Sequence, residues 1–202
     1  MASKSVVFWE VDVQRDFMLP GGALYVPGAE KALPNLKRLV DVARDGRVFL
    51  VSSACHHAPD DPEFTIFAPH CIRNTLGAEI VSEGLTNDFI RVPNSQNFEW
   101  PIDWNAHHQV VFEKQQLDVF TNPQASVLVD KLGADAQFVV FGVVTEYCVS
   151  QAARGLLQRG RKVAVVKDAI ETLDPAAGKR TLDELAAAGA RLITTDEALA
   201  LI

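Results

Sequence analysis

The sequence predicts an α/β fold, a doubly wound and mostly parallel sheet with helices on both faces. Strand-like and helix-like segments alternate along the 202 residues, and the strand candidates are continuously apolar. Strands covered on both faces have that character, whereas half-exposed strands alternate. Hydrophobic residues make up 48% and charged residues 22% of the chain, enough apolar material for the core of one domain spanning 1–202.

The elements follow in order. Residues 5–11 form the first strand. Ala29, Ala32, Leu33, Leu36, Leu39, Val40 and Ala43 mark one face of a helix that ends at Asp45-Gly46. Residues 48–51 give a second strand and residues 109–112 a third, followed by a helix over 123–132 that Gly133 stops. The unit then repeats as a strand over 138–141, a helix over 146–158, Gly160 and a strand over 162–166. Asp174-Pro175 reads as an N-cap with proline at the first helical position, and Gly189 closes that helix. A strand over 191–193 and a short helix from Asp196 finish the chain. The segment 53–108 breaks the rhythm, and loops of such length in compact domains are usually functional.

Composition removes several classes of function. A net charge of −7 without a Lys/Arg cluster argues against nucleic-acid partners. No apolar run approaches the roughly 20 residues that cross a bilayer, and nothing resembles a cleavable leader. Three widely spaced cysteines suggest a reducing cytoplasm and individual roles, not a disulfide framework.

In sheets of this kind ligands gather at the carboxyl ends of the strands. Those ends carry Asp12, then Ser52-Ser53 with Cys55-His56-His57, then Glu113-Lys114, and finally Cys148 at the start of a helical pattern. A thiol at a helix start lies in the field of aligned N–H groups, which favours the nucleophilic thiolate. An acid beside it can take a proton and return one to a leaving amine, and an ammonium can hold that acid and lower the thiol pKa. Each residue alone reads equally well as structural: a buried apolar cysteine, a turn-capping aspartate, a solvated lysine.

The segments 11–17 (VDVQRDF), 20–24 (PGGAL), 68–71 (APHC), 112–114 (FEK), 117–120 (LDVF) and 142–149 (GVVTEYCV) change that balance. In order and spacing, the sequence resembles the isochorismatase-like cysteine hydrolases, and within them the nicotinamidase branch. The resemblance implies a three-layer Rossmann-like fold and a triad of Asp12, Lys114 and Cys148. It also implies a cis peptide between Val143 and Val144 that aims the Val144 N–H, with that of Cys148, at the substrate oxygen. The implied chemistry is attack of Cys148 on an amide carbonyl, departure of ammonia protonated by Asp12, and hydrolysis of the thioester.

The same resemblance places a divalent metal, zinc by donor chemistry, on Cys55, His57, Glu63 and His70. Cys55 stands where an aspartate is usual, which makes the site softer and biased against manganese or magnesium. His56, Asp60 and Asp61 lie off the pattern and read as surface polar groups. Phe17 and Phe67 match positions that flank a substrate ring, although both could equally be core. The aromatic segment around Trp100 and Trp104 reads as a lid or a partner contact. Nicotinamide converted to nicotinate and ammonia is the first expectation, in a homo-oligomer, a dimer or tetramer. A metal-free hydrolase of another small amide, carbamoyl or vinyl-ether substrate is the second. A non-catalytic protein whose Cys55, Cys71 and Cys148 respond to oxidation is the third.

Overall fold

The computed structural model describes residues 6–202. Among the described residues seven strands form one sheet: β1 (Val6–Val11), β2 (Phe49–Cys55), β3 (Phe89–Val92), β4 (Gln109–Lys114), β5 (Gln137–Gly142), β6 (Lys162–Ile170) and β7 (Arg191–Ile193). Their spatial order is β3-β4-β2-β1-β5-β6-β7, and every neighbouring pair runs parallel. The doubly wound fold is therefore present. The strand expected over 5–11 appears as β1, with residue 5 outside the described residues.

Helices cover both faces. On one face α3 (Pro123–Lys131), α4 (Ser150–Gln158) and α5 (Pro175–Ala187) bury Leu128, Leu156 and Leu185 against Val7, Trp9, Phe112 and Phe138. On the other, α1 (Arg15–Met18), α2 (Leu33–Arg44) and α6 (Thr195–Leu199) pack Phe17, Leu36, Leu39, Val40 and Ala198 on Phe8, Leu50 and Phe141. The strand pleat divides β1 cleanly, Val7, Trp9 and Val11 going to one core and Phe8 to the other.

Three local differences from expectation have physical causes. The helix expected over 29–43 divides into a 3-10 turn, Ala29–Ala32, followed by α2. Pro34 has no N–H to donate to Glu30, so an α pattern cannot run back through it. β3 was not anticipated. It is an edge strand whose residues are mostly exposed or half-buried, with Arg91 in its middle, so it lacks the apolar run of a central strand. The segment read as a lid is packed instead. Trp104 is buried against Phe49 with ring centroids 5.8 Å apart, and Trp100 donates its indole N–H to Gln124 Oε1 at 2.9 Å. Its aromatic density is core packing.

The sheet reverses direction of growth between β1 and β5, so a crevice opens beyond their carboxyl ends, where such folds hold ligands. Close approach there depends on Gly142, whose φ is +117° and where a Cβ would stand 2.1 Å from Val11 O. Only glycine fits.

A buried polar chain runs across β1, β2 and β4. Ser52 Oγ donates to Glu10 Oε2 at 2.8 Å, Gln109 Nε2 donates to Ser52 Oγ at 2.8 Å, and Thr86 N–H donates to Gln109 Oε1 at 2.8 Å. Burial pushes the Glu10 carboxyl up to about 8, against the opposing Ser52 hydrogen bond and Arg44 charge. A carboxyl that keeps its proton in the folded chain but loses it near 4.5 when unfolded contributes stability that falls as pH rises between those values. Glu10→Gln should remove that dependence. In urea titrations the variant should gain on the wild type by up to about 1.4 kcal/mol per pH unit from roughly pH 5 to pH 7.5. Parallel curves would show that Glu10 does not titrate there.

Candidate active site

Four strand ends converge on one buried ammonium. Lys114 closes β4 and is fully buried. Its Nζ lies 2.8 Å from Asp12 Oδ2, 3.1 Å from Cys55 Sγ and 3.5 Å from Cys148 Sγ. Asp12 follows β1 with φ of +51°, a left-handed conformation that aspartate tolerates. Its N–H reaches Ser53 O at 3.0 Å, and Ser53 Oγ donates to Asp12 Oδ1 at 2.8 Å, fixing both ends of the residue.

Cys148 belongs to a π turn, Thr145–Val149, that leads into α4. Val149 N–H reaches Val144 O at 3.1 Å, five residues back, and this wide turn carries the sulfur over the crevice. The peptide between Val143 and Val144 is cis.

Electrostatics set the resting protonation. Burial works against the Lys114 charge, but Asp12 and the two sulfurs hold its pKa well above the ordinary lysine value. Burial also pushes the Cys148 thiol well up, with Lys114 opposing and Asp12 adding to the rise. The expectation of a thiol lowered by its lysine is thus reversed by desolvation: the resting sulfur is protonated beside a carboxylate that can accept its proton.

A second group of donors adjoins the first. The ligand atoms of Cys55, His57 and His70 all lie within 4.8 Å of one another, and all three residues are buried. Among the described residues neither ring nitrogen of buried His57 has a hydrogen-bond partner, although Nδ1 stands 3.0 Å from Asp61 Oδ2. His70 Nδ1 lies 2.8 Å from Ala68 O, which leaves Nε2 available, and burial holds its pKa below the ordinary imidazole value. Glu63 is peripheral, its Oε1 4.0 Å from His70 Nε2. Three of the four expected donors therefore cluster closely, with Glu63 at the margin. An orphaned buried imidazole nitrogen beside a thiol and a second imidazole suits a divalent metal.

The expectation for Asp61 needs correction. Its side chain is largely buried, contacts His57 and accepts Glu63 N–H at 3.0 Å as a turn cap. His56 is half-buried and paired with Glu113, its Nδ1 3.1 Å from Glu113 Oε2. Neither the Asp61 contact nor the pinning role of Gln14 was evident from residue type. Gln14 Oε1 accepts Cys55 N–H at 2.6 Å and its Nε2 donates to Cys55 O and Ala78 O, both at 2.8 Å.

Asp12, Cys55, Glu63, His70 and Cys148 form the floor of a cavity of about 360 Å³, counting its open mouth. Phe17 and Phe67 line it, with ring centroids 5.2 and 6.4 Å from that of His70. Phe17 also belongs to the core, so its two readings coincide. Leu24, Leu117, Tyr147 and Leu173 complete a wall that sequence reasoning missed. Leu24, Leu117 and Tyr147 sit inside the motif segments, which could have pointed to them, whereas nothing in its local pattern marks Leu173.

Fold and site define a parallel α/β protein with a thiol, a carboxylate and an ammonium grouped at the carboxyl edge of its sheet. The chain belongs to the isochorismatase domain family, whose model matches residues 7–197. Over 91% of this chain and 92% of its own length, the nicotinamidase of Escherichia coli (strain K12) is 24% identical. Streptothricin hydrolase of Streptomyces noursei is 29% identical over 88% of this chain and 54% of its own. The solved pyrazinamidase of Pyrococcus horikoshii in complex with zinc superposes with a TM-score of 0.72, is 25% identical, and covers 94% of this chain and 99% of its own.

Removing one member of the buried pair should strand the other. Lys114→Met is expected to destabilise by about 3–5 kcal/mol. Asp12→Asn added to it should recover part of that loss, because the uncompensated carboxylate is then gone. Strictly additive losses in chemical denaturation would mean that the two charges are not paired in the folded chain.

Proposed function

We propose that the chain is a cysteine-dependent amidohydrolase of small ring amides, with nicotinamide, cleaved to nicotinate and ammonia, as first choice. The observation that carries this is the contact of Lys114 with Asp12 and Cys148 on the floor of an apolar cavity. Its similarity to nicotinamidases supports the substrate.

In this reading Asp12 takes the proton of Cys148 as sulfur attacks the amide carbonyl, and gives it to the departing nitrogen. Lys114 stays protonated throughout. It holds Asp12 in place and stabilises negative charge on sulfur at the moment that charge forms. The N–H groups of Val144 and Cys148 receive the carbonyl oxygen of the tetrahedral intermediate. Asp12 then draws a proton from water, whose oxygen attacks the thioester and releases the acid, and returns that proton to the departing Cys148 sulfur. The aromatic rings of Phe17 and Phe67 hold the substrate ring and exclude bulk water.

Cys55, His57 and His70, with Glu63 nearby, would hold a divalent metal, and a thiolate among the donors favours zinc. Bound there, the ion would supply a Lewis-acidic anchor for a ring nitrogen. One observation favours a second, metal-free reading on a different amide. Lys114 donates to Cys55 Sγ at 3.1 Å, so that sulfur already has a partner in the protein.

Ammonia release from nicotinamide should be measurable with the wild type, vanish in Cys148→Ala and fall about 10³-fold or more in Asp12→Asn. Retained release in Cys148→Ala would end the cysteine mechanism. Titration with Co²⁺ separates the two metal readings. A thiolate-to-cobalt charge-transfer band should appear in the wild type and disappear in Cys55→Ser. No cobalt spectrum at all would favour the metal-free reading.

A further inference from the structure

Five hydrogen bonds join the turn that carries Cys148 to the loop at 171–174. Thr145 N–H and Oγ1 both reach Glu171 O, at 2.8 and 2.7 Å. Glu146 Oε1 accepts Leu173 N–H and Asp174 N–H, each at 2.9 Å, and Glu146 Oε2 accepts Thr172 Oγ1 at 2.5 Å. From the other side α5 presses in: a Cβ on Gly178 would stand 2.5 Å from Thr172 Oγ1. A glycine inside a helix lowers helical stability by about 1 kcal/mol, and here it makes room for this loop.

Leu173 lines the cavity even though 38% of its surface is exposed. Burial of so exposed a side chain adds little to folding, and packing alone does not hold it at the rim. Its backbone does, through a carboxylate two residues before the cysteine. Hydrogen bonds to an ionised acceptor are among the strong ones, and two of these fall on the N–H groups of Leu173 and its successor.

We propose that Glu146 is a positioning residue that fixes Leu173 as one wall of the substrate pocket, and that this wall limits the size of ring amide admitted. The proposal rests on the amidohydrolase reading for its substrate class. The wall itself can be tested without turnover.

Two readouts apply to the wild type, Leu173→Ala, Glu146→Ala, Glu146→Gln and the Glu146→Ala/Leu173→Ala double variant. One is kcat/KM for nicotinamide against a ring-alkylated nicotinamide. The other is the rate of Cys148 alkylation by iodoacetamide against N-benzyliodoacetamide, read by peptide mass mapping. Leu173→Ala and Glu146→Ala should each raise the bulky-to-small ratio about tenfold. The double variant should match Leu173→Ala, because both changes remove the same wall. Glu146→Gln retains an acceptor oxygen for the two N–H groups and should stay within about twofold of wild type. Should Glu146→Ala fail to fold, Thr172→Val removes one clamp bond and should shift the ratio in the same direction.

A ratio unchanged in Leu173→Ala would overturn the wall. Equal losses for small and bulky reagents in Glu146→Ala would reduce Glu146 to a structural role and overturn the positioning claim. If no amide is hydrolysed but the alkylation ratio shifts, the substrate class fails while the wall stands.

Discussion

An ammonium group withdrawn from water survives only in anionic company. Lys114 has no exposed surface, and its charge is answered by the carboxylate of Asp12, with the sulfurs of Cys55 and Cys148 as further acceptors. Much else in the molecule serves that arrangement. The reversal of strand order beside β1 brings the ends of β1, β2, β4 and β5 to one place. Ser53 steadies Asp12, Gln14 pins the backbone of Cys55, and the π turn delivers Cys148. These side chains are held by backbone geometry, so the proposed movement of charge between sulfur and carboxylate would need little reorganisation.

The cavity is polar at its floor and apolar along its walls. Asp12, Cys55, Glu63, His70 and Cys148 bring its charged, imidazole and thiol groups, while Phe17, Leu24, Phe67, Leu117 and Leu173 are hydrocarbon. Such a site suits a flat ligand with a small polar handle, since a strongly hydrated group placed against the walls would lose its water without replacement.

Much of this was readable in the chain. The alternation of apolar strands and amphipathic helices is a local signal, and so is the aspartate cap of α5, which accepts Ala176 N–H at 2.8 Å. Asp12, Lys114, Cys148, His57 and His70 could be singled out because their spacing in sequence matches a known pattern. What escaped has no local signature. β3 is too short and too exposed to look like a strand, and Trp100 and Trp104 pack on residues far away in sequence. Leu173 becomes a pocket wall only once the loop after β6 folds back on the cysteine turn. The reversal of the expected thiol pKa has the same origin. Proximity to a lysine can be inferred from a motif, but depth of burial belongs to the folded molecule.

Cys55 belongs to both groups of side chains, touching Lys114 on one side and standing among the imidazoles of His57 and His70 on the other. A single atom thus forms the seam between two constellations that would otherwise be neighbours. Whatever alters the charge or reach of that sulfur is felt by the lysine at once. The two halves of the floor therefore cannot drift apart independently, and a change that suits one must be acceptable to the other.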